Sequence, residues 1–206
     1  MDTFLTHTPA LRAPHTRPRK ATWPAVLITL VLTACGGGGS DSSSSDGNTG
    51  TTPQAEGNCG LAAQAAFQQD LLDRINAARA AGANCGSSGV FAATTSVSWN
   101  SLLTQAANNH ALDMTSKNFF SHTGSNGSSL GDRVTAVGYP WSALGENIAA
   151  GQPTVKDVMD AWMDSPGHCA NIMSPSFTEV GVSCQLAAST SNPYSTYWVM
   201  DLGARR

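Results

Sequence analysis

Residues 36–57 carry little besides Gly, Ser, Thr and Asp, and that stretch sets the limits of any fold this chain can adopt. A segment so poor in apolar side chains cannot bury enough surface to offset the entropy lost on ordering. It reads as a flexible tether. Of the 206 residues, those from about Cys59 onward remain to build a core. That remainder is roughly 150 residues, which suits one ordinary domain.

The residues before the tether read as targeting. A basic segment ending at Lys20 precedes the apolar run Trp23 to Ala34. The run is too short for a membrane-spanning helix of ~20 residues, and it has the form of a signal peptide. Leu32-Thr33-Ala34-Cys35 resembles a bacterial lipobox. The resemblance implies a signal peptide over 1–34, cleavage before Cys35, a lipid on its thiol, and a disordered linker over 35–58. Gly36 rather than Asp follows the cysteine, which in a Gram-negative cell implies passage to the outer membrane. The competing reading is a plain secretory signal. Both predict an exported protein, either a cell-envelope lipoprotein or a secreted one.

Four cysteines remain after Cys35: Cys59, Cys85, Cys169 and Cys184. An even count behind a signal peptide predicts two disulfides. Three pairings are possible, and the two local ones, Cys59–Cys85 and Cys169–Cys184, are expected. A metal site using Cys169 beside His168 is the rival, but there is no Cys-x-x-Cys to support it. Residues 59–206 hold seven basic and ten acidic groups with no basic run, which disfavours nucleic-acid binding.

Within the domain, Phe67, Leu71, Ile75 and Ala78 recur at helical spacing, predicting a helix from about Leu61 to Ala81 that ends at Gly82. Asn100 can cap a second helix to about Ser116, with Leu103, Ala107, His110 and Met114 as its buried stripe. His110 is therefore read as a core histidine. A short helix starts near Leu130. Thr154 and Asp157 open another, with Val155, Val158, Met159 and Trp162 on one face, and Ser165-Pro166-Gly167 is expected to break it. A short turn at 170–173 is a further candidate helix. Glu179–Leu186 and Thr196–Leu202 read as two strands of a hairpin. Helices first and a terminal hairpin predict an α+β fold with an antiparallel sheet covered by helices.

The chemistry-bearing residues are few. Glu146 lies in Gly145-Glu146-Asn147, His168 in Ser165-Pro166-Gly167-His168-Cys169, and His122 in Phe120-Ser121-His122. They are separated by 24 and 22 residues, so no local spacing joins them. The order of these motifs, with Trp99-Asn100, Asp113-Met114, Asp132-Arg133, Gly138-Tyr139 and Glu179-Val180-Gly181-Val182 between and around them, resembles the bacterial, SCP-like branch of the CAP superfamily. That superfamily includes the cysteine-rich secretory proteins, antigen 5 and pathogenesis-related protein 1. The similarity covers nearly all of residues 66–203, and its strength lies in order and spacing rather than in any single motif.

The resemblance implies an α-β-α sandwich, with a mostly antiparallel sheet between helix layers and an open cleft. In eukaryotic members two His and two Glu line that cleft and can hold a divalent metal, often zinc. His122, Glu146 and His168 match three of the four. The fourth stands three residues after the helix tryptophan, where this chain has Ser165. Two imidazoles and one carboxylate would make a three-ligand zinc set with an open position. Ser165, a poor ligand, is a candidate to orient His168. Asn147 is expected to hold the loop after Glu146. Asp132 is expected to serve as a helix N-terminal acid, and Arg133 as half of a surface or buried ion pair.

Two functions follow as expectations. One is a cell-surface binding module whose cleft takes a lipid, glycan or peptide. The alternative is a Zn²⁺-dependent or other metal-dependent hydrolase acting on peptide or cell-wall substrates, in which the missing second acid leaves few groups to move a proton. A purely structural surface protein is a third possibility. A serine hydrolase at Ser121 lacks the Gly-x-Ser-x-Gly turn. A thiol protease at Cys169 would be abolished by a disulfide there.

Overall fold

The computed structural model describes Cys59 and residues 64–206. The expected signal peptide, the lipidated Cys35 and the linker lie outside the described residues. The elements run α1 (Gln64–Ala81), β1 (Ala83–Asn84), β2 (Val90–Phe91), β3 (Ser98–Trp99), α2 (Ser101–Lys117), α3 (Leu130–Ala136), β4 (Trp141–Ala150), α4 (Val155–Asp164), α5 (Pro166–Met173), β5 (Glu179–Leu186) and β6 (Thr196–Arg205).

The central sheet has the order β3-β5-β6-β4. β6 pairs antiparallel with both β4 and β5, while the two-residue β3 runs parallel to β5. Successive side chains of a strand point to opposite faces. Trp198, Met200 and Leu202 accordingly join Leu71 of α1, Trp162 of α4 and Ile172 of α5 in one core. Tyr197 and Val199 face Ala107, Ala111 and Met114 of α2 in another. Helices on both faces of a mostly antiparallel sheet make the expected α-β-α sandwich.

Local signals account for most element ends. The Asn100 side chain accepts from the backbone N–H groups of Leu102 and Leu103, as a capping residue does. Asn118, left-handed at φ 55°, ends α2. Ser129 and Asp132 form a reciprocal capping box on α3, so Asp132 serves as its helix N-terminal acid. At Ser165-Pro166-Gly167 the outcome differs from expectation. The segment ends α4 but also begins α5, because Pro166 occupies the first turn of the new helix, where a missing N–H costs nothing. His168 thereby sits inside a helix rather than beyond one.

Both disulfides differ from the local pairing expected. Cys59 bonds Cys184, and Cys85 bonds Cys169, with Cα–Cα separations of 5.4 and 5.5 Å. The reason is the extended strand β5. At roughly 3.4 Å per residue it carries Cys184 well away from α5, where Cys169 sits beside the loop after α1. The sequence separations of 125 and 84 residues make these long-range clamps, each worth about 4–5 kcal/mol on the chain-entropy model. A bridged Cys169 is also no thiol nucleophile.

α2 packs directly onto the sheet at Gly181. A Cβ built there would land on the backbone of Leu103 and Thr104, which cannot yield as a flexible side chain would. Gly181→Ala is therefore expected to push α2 off the sheet and to destabilise by about 2–3 kcal/mol in urea unfolding. A loss under about 0.5 kcal/mol would mean that the helix is not seated there.

Candidate functional site

Glu146 and Asn147 lie on β4, the edge strand of the sheet, and not in a loop. Strand alternation sends their side chains to opposite faces, so β4 acts as the partition of the site. The Glu146 carboxylate is almost fully buried, with its side chain 4% exposed. Its Oε1 lies 2.7 Å from Nδ1 of His122, and its Oε2 accepts from Nη2 of Arg133 at 2.6 Å. Each carboxylate oxygen thus has a short partner of charge-assisted type.

Arg133 comes from α3 and is buried with Glu146. Its other terminal nitrogen, Nη1, donates to the carbonyls of His122 and Ser128, both at 3.0 Å. One guanidinium therefore fixes the carboxylate and the loop that carries the histidine. Arg133 is half of a buried ion pair, and its partner is Glu146, 13 residues on and on another element.

His110 anchors the same loop from α2. It is fully buried, and its Nε2 lies 2.8 Å from the Ser121 carbonyl, next to His122. With a carbonyl as partner, Nε2 carries the proton. Burial holds this imidazole below the usual histidine range, as a core histidine requires.

On the other face, Asn147 is fully buried and its Nδ2 donates to the His168 carbonyl at 3.1 Å. Asn171 of α5 donates to Oδ1 of Asn147 at 2.9 Å and to the Glu146 carbonyl at 3.3 Å. The amide of Asn147 therefore holds the first turn of α5 against β4, not the chain after Glu146. It also positions His168 where Ser165 was expected to do so. The Ser165 side chain makes no capping bond, although its carbonyl accepts from the Cys169 N–H. The His168 imidazole is half-buried and held below the usual histidine range, first by burial and then by the nearness of His122. His122, Glu146 and His168 thus converge around the edge of β4. His122 is the most open of them, its side chain 58% exposed.

These residues do not fit a three-ligand zinc set. Glu146 is enclosed by Arg133 and by His122 itself, which makes it the outer partner of an imidazole rather than a free ligand. Two imidazoles remain, one ligand short of a catalytic zinc site. Among the described residues no group of three or more His, Cys, Asp and Glu side chains is arranged to hold a metal.

The sandwich fold, the edge-strand Gly-Glu-Asn and the two histidines reaching it from a loop and a helix define a protein class. Residues 72–202 match the model of the cysteine-rich secretory protein family, CAP. The chain belongs to that family. It is 41% identical over 80 residues to the uncharacterized protein YkwD of Bacillus subtilis (strain 168), a stretch covering 39% of this chain and 31% of that one. It is 29% identical over 94 residues to the uncharacterized membrane protein YlbC of the same organism, covering 46% of this chain and 27% of that one. The chain therefore matches about a third or less of each relative's length. Among solved structures, an extracellular SCP-domain protein of Bacillus anthracis str. Ames aligns with a TM-score of 0.54 at 23% identity, covering 71% of this chain and 45% of that one. An outer surface protein of Borrelia burgdorferi aligns with a TM-score of 0.56 at 18% identity, covering 68% and 93%. At these identities the two structures speak to the fold alone.

Proposed function

We propose that this is an exported binding module of the cell envelope, tethered through Cys35, whose cleft between His122 and His168 takes a lipid, glycan or peptide ligand. The observation that carries this reading is the internal pairing of both Glu146 oxygens. A carboxylate so held is a poor general base, because a base must be free to reach the proton it takes. What the cleft offers instead is an exposed imidazole and a neutral half-buried one, which suit hydrogen bonding to a ligand. Phe120, two residues before His122, and Tyr194 are each 42% exposed, with ring centroids 5.9 Å apart. They form an exposed, stacking-competent apolar pair beside the segment that leads into His122. The B. anthracis protein is extracellular and the B. burgdorferi protein is an outer surface protein, locations in keeping with export.

The test is native mass spectrometry of the full chain, held in chelator, after exposure to fractionated envelope lipids, glycan fragments and peptides. One fraction is expected to be retained by wild type, with retention reduced at least about tenfold, or ~1.4 kcal/mol, in the His122→Ala/His168→Ala double variant. Retention of nothing would overturn the reading, and hydrolysis of any of these fractions in a parallel sample with Zn²⁺ in place of the chelator would overturn it in favour of the metal-dependent hydrolase.

A further inference from the structure

Among the described residues, Asp201 is a wholly buried acid that the cleft described above does not account for. Asp201 lies on β6 directly opposite Glu146 in the antiparallel β4–β6 ladder. Directly opposed residues place their Cβ atoms ~5 Å apart on one face of the sheet, and like charges there repel. Asp201 is wholly buried, and no donor reaches either of its carboxyl oxygens. On its other side β5 contributes Gly181, which brings no side chain. Across the ladder on the β4 side it faces the Glu146 carboxylate.

Two carboxylates opposed at such depth repel each other, and a proton on one of them relieves that repulsion. The partners decide which. Glu146 already faces two donors, the Arg133 guanidinium and the His122 ring, so a proton on it would set hydrogen against hydrogen. Asp201 faces no donor. The other ionisable group near the pair is His110 of α2, whose proton is committed to the Ser121 carbonyl. The arrangement has room for one hydrogen, between Asp201 and Glu146.

We propose that Asp201 is the second acid of this cleft, a positioning residue that carries a hydrogen at neutral pH and donates it to Glu146. Glu146 is thereby held from three sides, by His122, Arg133 and Asp201, and the orientation of the His122 ring depends on all three. Burial first, and then the Glu146 charge, push the Asp201 carboxyl well above its ordinary range; Arg133 opposes them, and the hydrogen bond to Glu146 adds a lesser upward push. The cleft thus has a second carboxyl after all, supplied by the sheet from below rather than by the helix position that Ser165 occupies. This does not depend on what the cleft binds, and its readouts involve no ligand.

The experiment compares the full chain with Asp201→Asn and Asp201→Leu at neutral pH. Infrared difference spectra of wild type against Asp201→Asn are expected to show one protonated-carboxyl C=O band that the variant lacks. The Asn amide can donate to Glu146 in place of the acid, so histidine-selective NMR is expected to find the His122 ring signals unmoved in Asp201→Asn. Leu has similar volume and no donor, and is expected to displace them. Absence of the carboxyl band overturns the proposal, as does an Asp201→Leu spectrum in which His122 is unmoved. If Asp201→Leu does not fold, the infrared comparison decides alone.

Discussion

Replacing Arg79 with Met is expected to destabilise the fold by about 4 kcal/mol, the largest single-residue loss predicted for this chain. Arg79 is fully buried near the end of α1, and none of its hydrogen-bond acceptors is a carboxylate. Its Nε donates to the Thr95 carbonyl at 2.7 Å, Nη1 to those of Ile172 and Ser174 at 2.6 and 2.9 Å, and Nη2 to that of Phe177 at 3.1 Å. Ile172 and Ser174 stand at the C-terminal end of α5, where carbonyls lack helical partners and the helix dipole is negative. The guanidinium thus serves as the C-terminal cap of the helix that carries His168.

Met fills much of the volume but leaves four carbonyls without this donor. Each orphaned group costs ~1 kcal/mol or more, and bonds to a charged donor are worth the most. Urea unfolding monitored by tryptophan fluorescence measures the loss. Arg79→Lys should recover part of it, since an ammonium keeps the charge but not the planar fork that spans four acceptors. A loss below about 1 kcal/mol for Arg79→Met would show that these carbonyls find other partners.

Arg133→Met is the second large effect, expected at about 3–4 kcal/mol. Here the remaining group is a carboxylate. Arg133 and Glu146 have side-chain exposures of 8% and 4%, so removing the guanidinium strands a buried negative charge. That situation, rather than loss of the attraction itself, is what makes breaking a buried pair costly. The same substitution frees the carbonyls of His122 and Ser128, so the loop bearing His122 should loosen as well. Proteolysis within residues 118–128 is expected to become faster relative to wild type, by more than global unfolding accounts for. A stability loss under about 1 kcal/mol would sink the assignment of Arg133 as the counter-ion of the site.

Much of the architecture could be read from the sequence because local rules and tertiary structure agree there. The helix at Asn100, the strand at Glu179–Leu186 and the stop at Gly82, with φ +75°, all follow from capping, alternation and turn chemistry. β4 could not be read that way. Its Gly-Glu-Asn centre looks like a loop, and only pairing along its whole length with β6 makes it a strand. Gly145 is there because α5 and Phe177 close on it, with a Cβ meeting the Phe177 ring at 2.7 Å.

The site was legible in its members and not in its wiring. Family order pointed to His122, Glu146 and His168; His122 bonds Glu146 directly, and the His168 carbonyl is held by the Asn147 amide on the other face of β4. Arg133, Asn171 and Asp201 were invisible as parts of it, because each acts through a partner at least 13 residues away in sequence. One signal was available in retrospect. Asp201 sits in Tyr197-Trp198-Val199-Met200-Asp201-Leu202, a run buried on both faces, and a lone acid there demands a partner. Arg79 carried a similar signal, continuing the Leu71 and Ile75 stripe at the next helical position.

The chemistry open to this site turns on Glu146 being engaged inside the protein. A double-mutant cycle in folding stability, with Arg133→Met, Glu146→Gln and the two combined, measures that engagement directly. The combined variant is expected to be less destabilised than the sum of the single ones, giving a coupling of about 2–3 kcal/mol. Single effects that add to within about 0.5 kcal/mol would contradict it, and would return Glu146 to the cleft as a free carboxylate.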